Sequence, residues 1–140
     1  MRWQDFALVK LLRDVAIRHL LTVAPTSPLR RAAVVMTDRG VGSAVVVDSE
    51  KVAGIITERD ILHAVAHERD VNQTTVADVM TRDVVSGAPG WDLLKAVKTM
   101  TEGGFRHLLV MEMNDPVGIV SLRDLMDSMA ELVPSESAAG

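Results

Sequence analysis

The sequence predicts a mixed α/β (α+β) fold: two tandem β-α-β-β-α units packed sheet to sheet, preceded by an N-terminal helix. Three observations predict it. The chain matches itself without a gap when it is slid by 64 positions. Each copy runs through helical and strand-like apolar spacing in the same order. Apolar residues make up 48% of the chain, enough for a core. A copy of ~50 residues with three short strands is too thin to stand alone, so sheet-on-sheet packing covers both apolar faces.

The repeat lays "VAPTSPLRRAAVVMTDRGVGSAVVVDSEKVAGIITERDIL" over "GAPGWDLLKAVKTMTEGGFRHLLVMEMNDPVGIVSLRDLM". Ala24–Pro25 meets Ala88–Pro89, Leu29 meets Leu93, and Met36–Thr37 meets Met100–Thr101. Gly40 meets Gly104, Gly54–Ile55 meets Gly118–Ile119, and Arg59–Asp60 meets Arg123–Asp124. Thr57 meets Ser121, which keeps the hydroxyl.

Each copy opens with a short strand, about 21–24 and 84–86, that ends at Ala-Pro. A helix follows from near Ser27–Pro28 or Trp91–Asp92, with Leu29, Ala32, Ala33, Met36 and Leu93, Ala96, Val97, Met100 at helical spacing. Pro28 suits a first helical turn, and Gly40 and Gly104 suit a C-terminal stop. "SAVVVD" and "VAGIIT", then "HLLVME" and "PVGIVS", read as strand pairs joined by polar turns. A second helix closes each copy, from Glu58 to about His67 and from Leu122 to about Leu132. The chain thus divides into an N-terminal helix (1–20), a first repeat (21–67), a linker with a helical turn at "TVADVM" (68–83), a second repeat (84–133) and a loose tail (134–140). Phe6, Val9, Leu12, Ala16 and Leu20 form the apolar stripe of the N-terminal helix.

Composition narrows the function. The chain has no cysteine, so disulfides and thiolate metal sites are excluded and a reducing compartment fits. Its start lacks the apolar block of a signal peptide, and no apolar run approaches the ~20 residues that span a bilayer, so a cytoplasmic protein is expected. The net charge of −4 argues against a broad nucleic-acid surface, for which only the pair Arg30–Arg31 speaks. His63 and His67 have a metal-compatible spacing on a helix, but no third ligand stands at a fitting position, so no metal is expected. Met36, Met80, Met100, Met126 and Met129 read as fillers of core and interhelix gaps. No phosphate loop, nucleophile elbow or base–nucleophile pair is present, so an enzyme is not expected.

The chemistry-bearing pattern is Thr57-x-x-Asp60 and its duplicate Ser121-x-x-Asp124, each placed where a strand enters a helix. A hydroxyl at N-cap with an acid at N3 is a capping box, worth ~0.5–2 kcal/mol. The same residues suit a nucleotide. The helix start turns N–H groups toward phosphate. A carboxylate accepts two hydrogen bonds from a ribose diol, and Asp reaches back to the N-cap less well than Glu. Ile55–Ile56 and Ile119–Val120 are placed to flank a purine.

These residues carry a resemblance. "VGSAVVVDSEKVAGIITERDILHAV" and "GGFRHLLVMEMNDPVGIVSLRDLM" resemble the cystathionine-β-synthase-type (CBS) domain, over about residues 20–132. The resemblance implies two repeats related by a pseudo-twofold axis, with two clefts, in a module that often forms a homodimer. It implies a regulatory ligand containing adenosine: AMP, ADP, ATP, S-adenosylmethionine or a dinucleotide such as NAD. By the family's pattern Asp60 and Asp124 grip ribose hydroxyls, while Thr57 and Ser121 contact ribose or phosphate. Arg59 and Arg123 neutralise phosphate or are simply solvated helix residues. Thr22 and Ser86 stand at a leading-strand position near the ligand, or only satisfy a strand end. The backbone at Ser43–Ala44 and His107–Leu108, beside Ile56 and Val120, reads adenine. Arg106 and His107 reach further phosphates in the second cleft or are only surface groups at a strand edge, and Trp91 shelters that cleft, obstructs it or fills a helix contact. The function expected is a stand-alone module that signals to a separate effector protein. The rival readings are a dimeric assembly protein with empty clefts and a single-stranded nucleic-acid binder.

Overall fold

A computed structural model describes residues 10–16 and 18–132. In chain order the elements are α1 (Leu12–Val15), β1 (Thr22–Val23), α2 (Leu29–Arg39), β2 (Ser43–Asp48), β3 (Lys51–Thr57) and α3 (Glu58–Ala66). They continue with α4 (Val76–Val79), β4 (Ser86–Gly87), α5 (Leu93–Gly103), β5 (His107–Glu112), β6 (Asp115–Ser121) and α6 (Leu122–Leu132). The fold is mixed α+β, with two three-stranded sheets of order β1-β2-β3 and β4-β5-β6. In both sheets the first pairing is parallel and the second antiparallel.

The two sheets are the same object displaced by 64 residues. Ser43 faces Thr57 as His107 faces Ser121, and the register slips at Val46/Val47 as it does at Val110/Met111. Both first helices stop where the sequence predicts. Gly40 and Gly104 take left-handed φ of 64° and 73°, a conformation that a side chain would oppose. Pro28 sits at the N-cap, one position before the first helical turn expected for it. Asp92 caps α5 by accepting the Lys95 amide at 2.8 Å.

The described residues divide into two compact units. One is Leu20–Val84; the other joins the segment before Leu20 to the chain from Val85 onward. The core of the first is Leu29, Ala32, Met36, Ala44, Val46 and Ile56, closed by Val76 and Met80. The core of the second is Leu93, Ala96, Met100, Leu108, Val110, Val120 and Leu125, closed by Leu12.

Those closing residues reveal a longer repeat than the strands and helices suggest. Leu12 and Arg13 donate their amides to the carbonyls of Trp91 and Pro89, at 2.9 and 3.1 Å. Val76 and Ala77 donate theirs to Ser27 and Pro25, both at 2.9 Å. Arg18 caps the Arg13 carbonyl and Arg82 caps that of Ala77, both at 3.2 Å. The single turns α1 and α4 are therefore equivalent, and each covers the repeat that it does not precede. The expected helix over 1–20 is, among the described residues, this one turn. Ala16 is already extended, and Leu20 lies beyond the helix. Phe6 and Val9, like the tail 134–140, lie outside the described residues.

Candidate functional site

The strand-to-helix corner builds the site. β3 delivers Thr57 in an extended conformation, and α3 starts at the next residue. The Thr57 amide donates to Asp60 Oδ2 at 2.9 Å, and Thr57 Oγ1 accepts the Asp60 amide at 3.2 Å. The second corner repeats this. The Ser121 amide donates to Asp124 Oδ2 at 2.9 Å, and Ser121 Oγ accepts the Asp124 amide at 3.0 Å. All four side chains are half-buried.

This geometry corrects two steps of the sequence argument. Asp closes the reciprocal box despite its short side chain, so its presence in place of Glu is no signal against capping. The helix start also offers fewer N–H groups than expected. Glu58 N donates to Gly42 O at 3.0 Å, and Leu122 N to Arg106 O at 2.8 Å. With Asp60 N and Asp124 N held in the boxes, two of the first three amides of each helix have partners inside the protein. The carboxylates keep more capacity, because the box uses Oδ2 and leaves Oδ1 outside it.

A third box shows what the pattern means by itself. The Thr75 amide donates to Asp78 Oδ2 at 2.9 Å, at the start of α4. The Thr75 amide and then its hydroxyl hold the Asp78 carboxyl below the usual carboxylate range, with a smaller contribution from Arg69. Asp78 is fully exposed on a one-turn helix. Hydroxyl-x-x-Asp is thus a cap wherever it occurs, and only at Asp60 and Asp124 does it end a central strand pair.

Other expected site residues distribute unevenly. Ser43 is buried beside Thr57 in register, and half-buried His107 stands at the same place beside Ser121. Ile56, Ala44, Val120 and Leu108 are all within the cores, so their side chains fix the strands and only their backbone could meet a ligand. Thr22, Ser86, Arg59, Arg123 and Arg106 are exposed. Trp91 takes the third of its expected roles in altered form. It packs inside the second unit, where Gly87 leaves it room: a Cβ at Gly87 would lie 3.1 Å from the ring and 3.0 Å from Leu12. Lys95 Nζ stands 4.3 Å from the ring centroid. The first repeat has Val23 and Ser27 at these two positions, a compensated exchange of bulk.

Among the described residues no three His, Cys, Asp or Glu side chains form a metal cluster, and no helix is long and apolar enough to cross a membrane.

The family model of the CBS domain matches twice, at residues 12–67 and 76–131. The chain belongs to the CBS domain family. Both matched spans begin at the covering turns α1 and α4, so the CBS repeat includes them. The chain is 37% identical over 114 residues to the CBS domain-containing protein YhcV of Bacillus subtilis, covering 81% of each. The crystal structure of a CBS-domain-containing protein from Agrobacterium tumefaciens superposes with a TM-score of 0.80 at 32% identity, covering 84% of this chain and 92% of that one. The CBS domain pair of protein MJ0100, solved with 5'-methylthioadenosine and S-adenosyl-L-methionine, shares the fold at TM-score 0.80 and 23% identity, covering 87% of this chain and 97% of that one.

Proposed function

We propose that this CBS pair is a regulatory, non-catalytic module that binds an adenosine-containing ligand at its Asp60 and Asp124 corners and signals to a separate effector. The observation that carries the reading is the doubled corner itself. At both places a carboxylate is pinned through one oxygen at the end of a central strand pair, and its other oxygen stays outside the box. A pinned carboxylate is a prepared acceptor for a vicinal diol, since little side-chain entropy is lost on binding. A protein of the same fold binds 5'-methylthioadenosine and S-adenosyl-L-methionine, which supports an adenosine ligand here.

In this reading Asp60 and Asp124 hold the ribose, Thr57 and Ser121 orient those carboxylates, and Ser43 and His107 contribute backbone to the base. Thr22 and Ser86 border the ribose. Phosphates of AMP, ADP or ATP meet Arg59 and Arg123, with Arg106 added in the second repeat. Regulation requires the ligand to bind two arrangements of the module unequally. Homodimerisation of a cytoplasmic protein belongs to the same reading. Leu62 on α3 and its counterpart Met126 on α6 are 66% and 60% exposed, a pair of apolar positions suited to a second copy.

Calorimetry with AMP, ADP, ATP, S-adenosylmethionine and NAD tests the proposal, using Asp60→Asn and Asp124→Asn. Asparagine keeps a carbonyl oxygen for the cap and removes the charge. Each substitution should weaken binding at its corner about tenfold or more, since a charge-assisted bond is worth ~1.5–3 kcal/mol. Heats that are absent for every ligand, or untouched by both substitutions, reject the reading.

A further inference from the structure

We propose that the second unit carries a docking patch for an acidic peptide segment of another protein, built from Arg13, Arg18 and Lys95 around Gly90 and Trp91. The way the three cations are held points to it, because each is seated by a neutral group. A Cβ at Gly90 would lie 3.3 Å from an Arg13 Nη2, so the bare glycine backbone gives the guanidinium its place. Arg18 donates to the Arg13 carbonyl at 3.2 Å. Lys95 Nζ stands 4.3 Å from the Trp91 ring centroid, within reach of a cation–π contact. Backbone hydrogen bonds join these seats, since Leu12 and Arg13 donate to the carbonyls of Trp91 and Pro89.

Neutral seats leave the charges uncompensated. All three side chains are exposed, and among the described residues none of them forms an ion pair. The acids beside them in sequence are engaged by backbone amides. Asp14 Oδ2 accepts from Leu11 at 2.9 Å, and Asp92 Oδ1 accepts from Lys95 at 2.8 Å. Lys98, one turn beyond Lys95 on α5, adds a fourth exposed cation on the same side of the helix. A cation that is already held loses little side-chain entropy when a carboxylate arrives.

The first repeat lacks this arrangement. In the 64-residue register Thr26 and Ser27 replace Gly90 and Trp91, Ala77 replaces Arg13, and Val34 replaces Lys98. Arg31 keeps the charge of Lys95 with no ring at position 27, and Arg82 keeps that of Arg18. Arg13 and its glycine are therefore absent together, and the patch belongs to the second unit alone. Its chemistry selects the partner. A long nucleic acid would have to cross the rest of a chain whose net charge is −4. Trp91 packs against Gly87 and lies under Lys95, so its ring is already engaged and a base has no platform to stack on. A short acidic segment meets the same cations through charge-assisted hydrogen bonds. The patch shares no residue with the Asp60 and Asp124 corners, so it does not depend on the adenosine reading.

The test is the fluorescence anisotropy of a labelled polyglutamate peptide titrated with the full chain, with Arg13→Glu, Lys95→Glu and Arg31→Glu beside the wild type. A labelled oligothymidylate of equal length is the second probe. Arg31→Glu changes the net charge as much as Lys95→Glu does, at the counterpart position that has no ring beneath it. The wild type should bind polyglutamate saturably, and more weakly as salt is added. Arg13→Glu and Lys95→Glu should each weaken binding about tenfold, and Arg31→Glu about twofold or less. All three positions are exposed, so the variants keep the fold, which circular dichroism checks. No saturable binding, a loss in Arg31→Glu equal to that in Lys95→Glu, or tighter binding of the oligothymidylate than of polyglutamate overturns the patch.

Discussion

The two repeats build one corner on two different supports. In the first, β3 passes so close to the chain after α4 that a Cβ at Gly54 would lie 2.6 Å from Thr81 O, and Ile55 and Thr81 exchange both backbone hydrogen bonds at 2.9 Å. In the second, the cover is Leu12, and the space beside it is taken by Trp91 over Gly87. Yet the boxes at Thr57/Asp60 and Ser121/Asp124 agree to within 0.2 Å in both hydrogen bonds. The corner is kept while its surroundings diverge. That is the pattern expected if the corner is where the two repeats do the same work.

The comparison can be broken first at its covers. Leu12→Ala removes a fully buried side chain that closes the second core and should cost about 2–5 kcal/mol in urea denaturation. Val76→Ala should cost less, because a smaller side chain is lost. Equal and negligible losses would mean that the turns are not part of the repeats.

The exchanged pair gives a sharper test. Gly87→Val alone crowds Trp91, Leu12 and Leu108 and should cost about 1–3 kcal/mol. Combined with Trp91→Ser, which restores the first repeat's pairing, the loss should fall short of the sum of the single losses by about 0.5–3 kcal/mol. Strict additivity would show that the two positions do not compensate.

Thr57→Ala, Ser121→Ala and Thr75→Ala each remove one cap and should each cost about 0.5–2 kcal/mol. Only the first two should also change adenosine-ligand affinity. The smallest effect is at Asp78. Its folded pKa is depressed, so its contribution is present above the unfolded value and is lost as pH falls through the folded one. The stability gap between wild type and Asp78→Asn should therefore close on acidification. Because Asp78 is exposed, the gap is small throughout.

Much of this was legible in the sequence. The 64-residue register placed both sheets, both left-handed glycines and both boxes, because a positive φ and a helix cap each tolerate few residue types. The covering turns were missed. Their signal lay in the same register, Leu12 with Val76, Asp14 with Asp78, Val15 with Val79 and Arg18 with Arg82, but the other intervening residues differ and the contacts run to the other repeat. The spacing of Thr57 and Asp60 could not say that the helix amides have internal partners, since Gly42 and Arg106 accept through carbonyls that any residue would supply.

The most direct test of the central claim follows three amides by NMR while S-adenosylmethionine or AMP is added to the wild type. The amides of Thr57, Ser121 and Thr75 each donate to an aspartate Oδ2 and so report on Asp60, Asp124 and Asp78. The account predicts saturable shifts at Thr57 and Ser121 and none at Thr75. Three unmoved amides, or a Thr75 shift equal to the others, would contradict it.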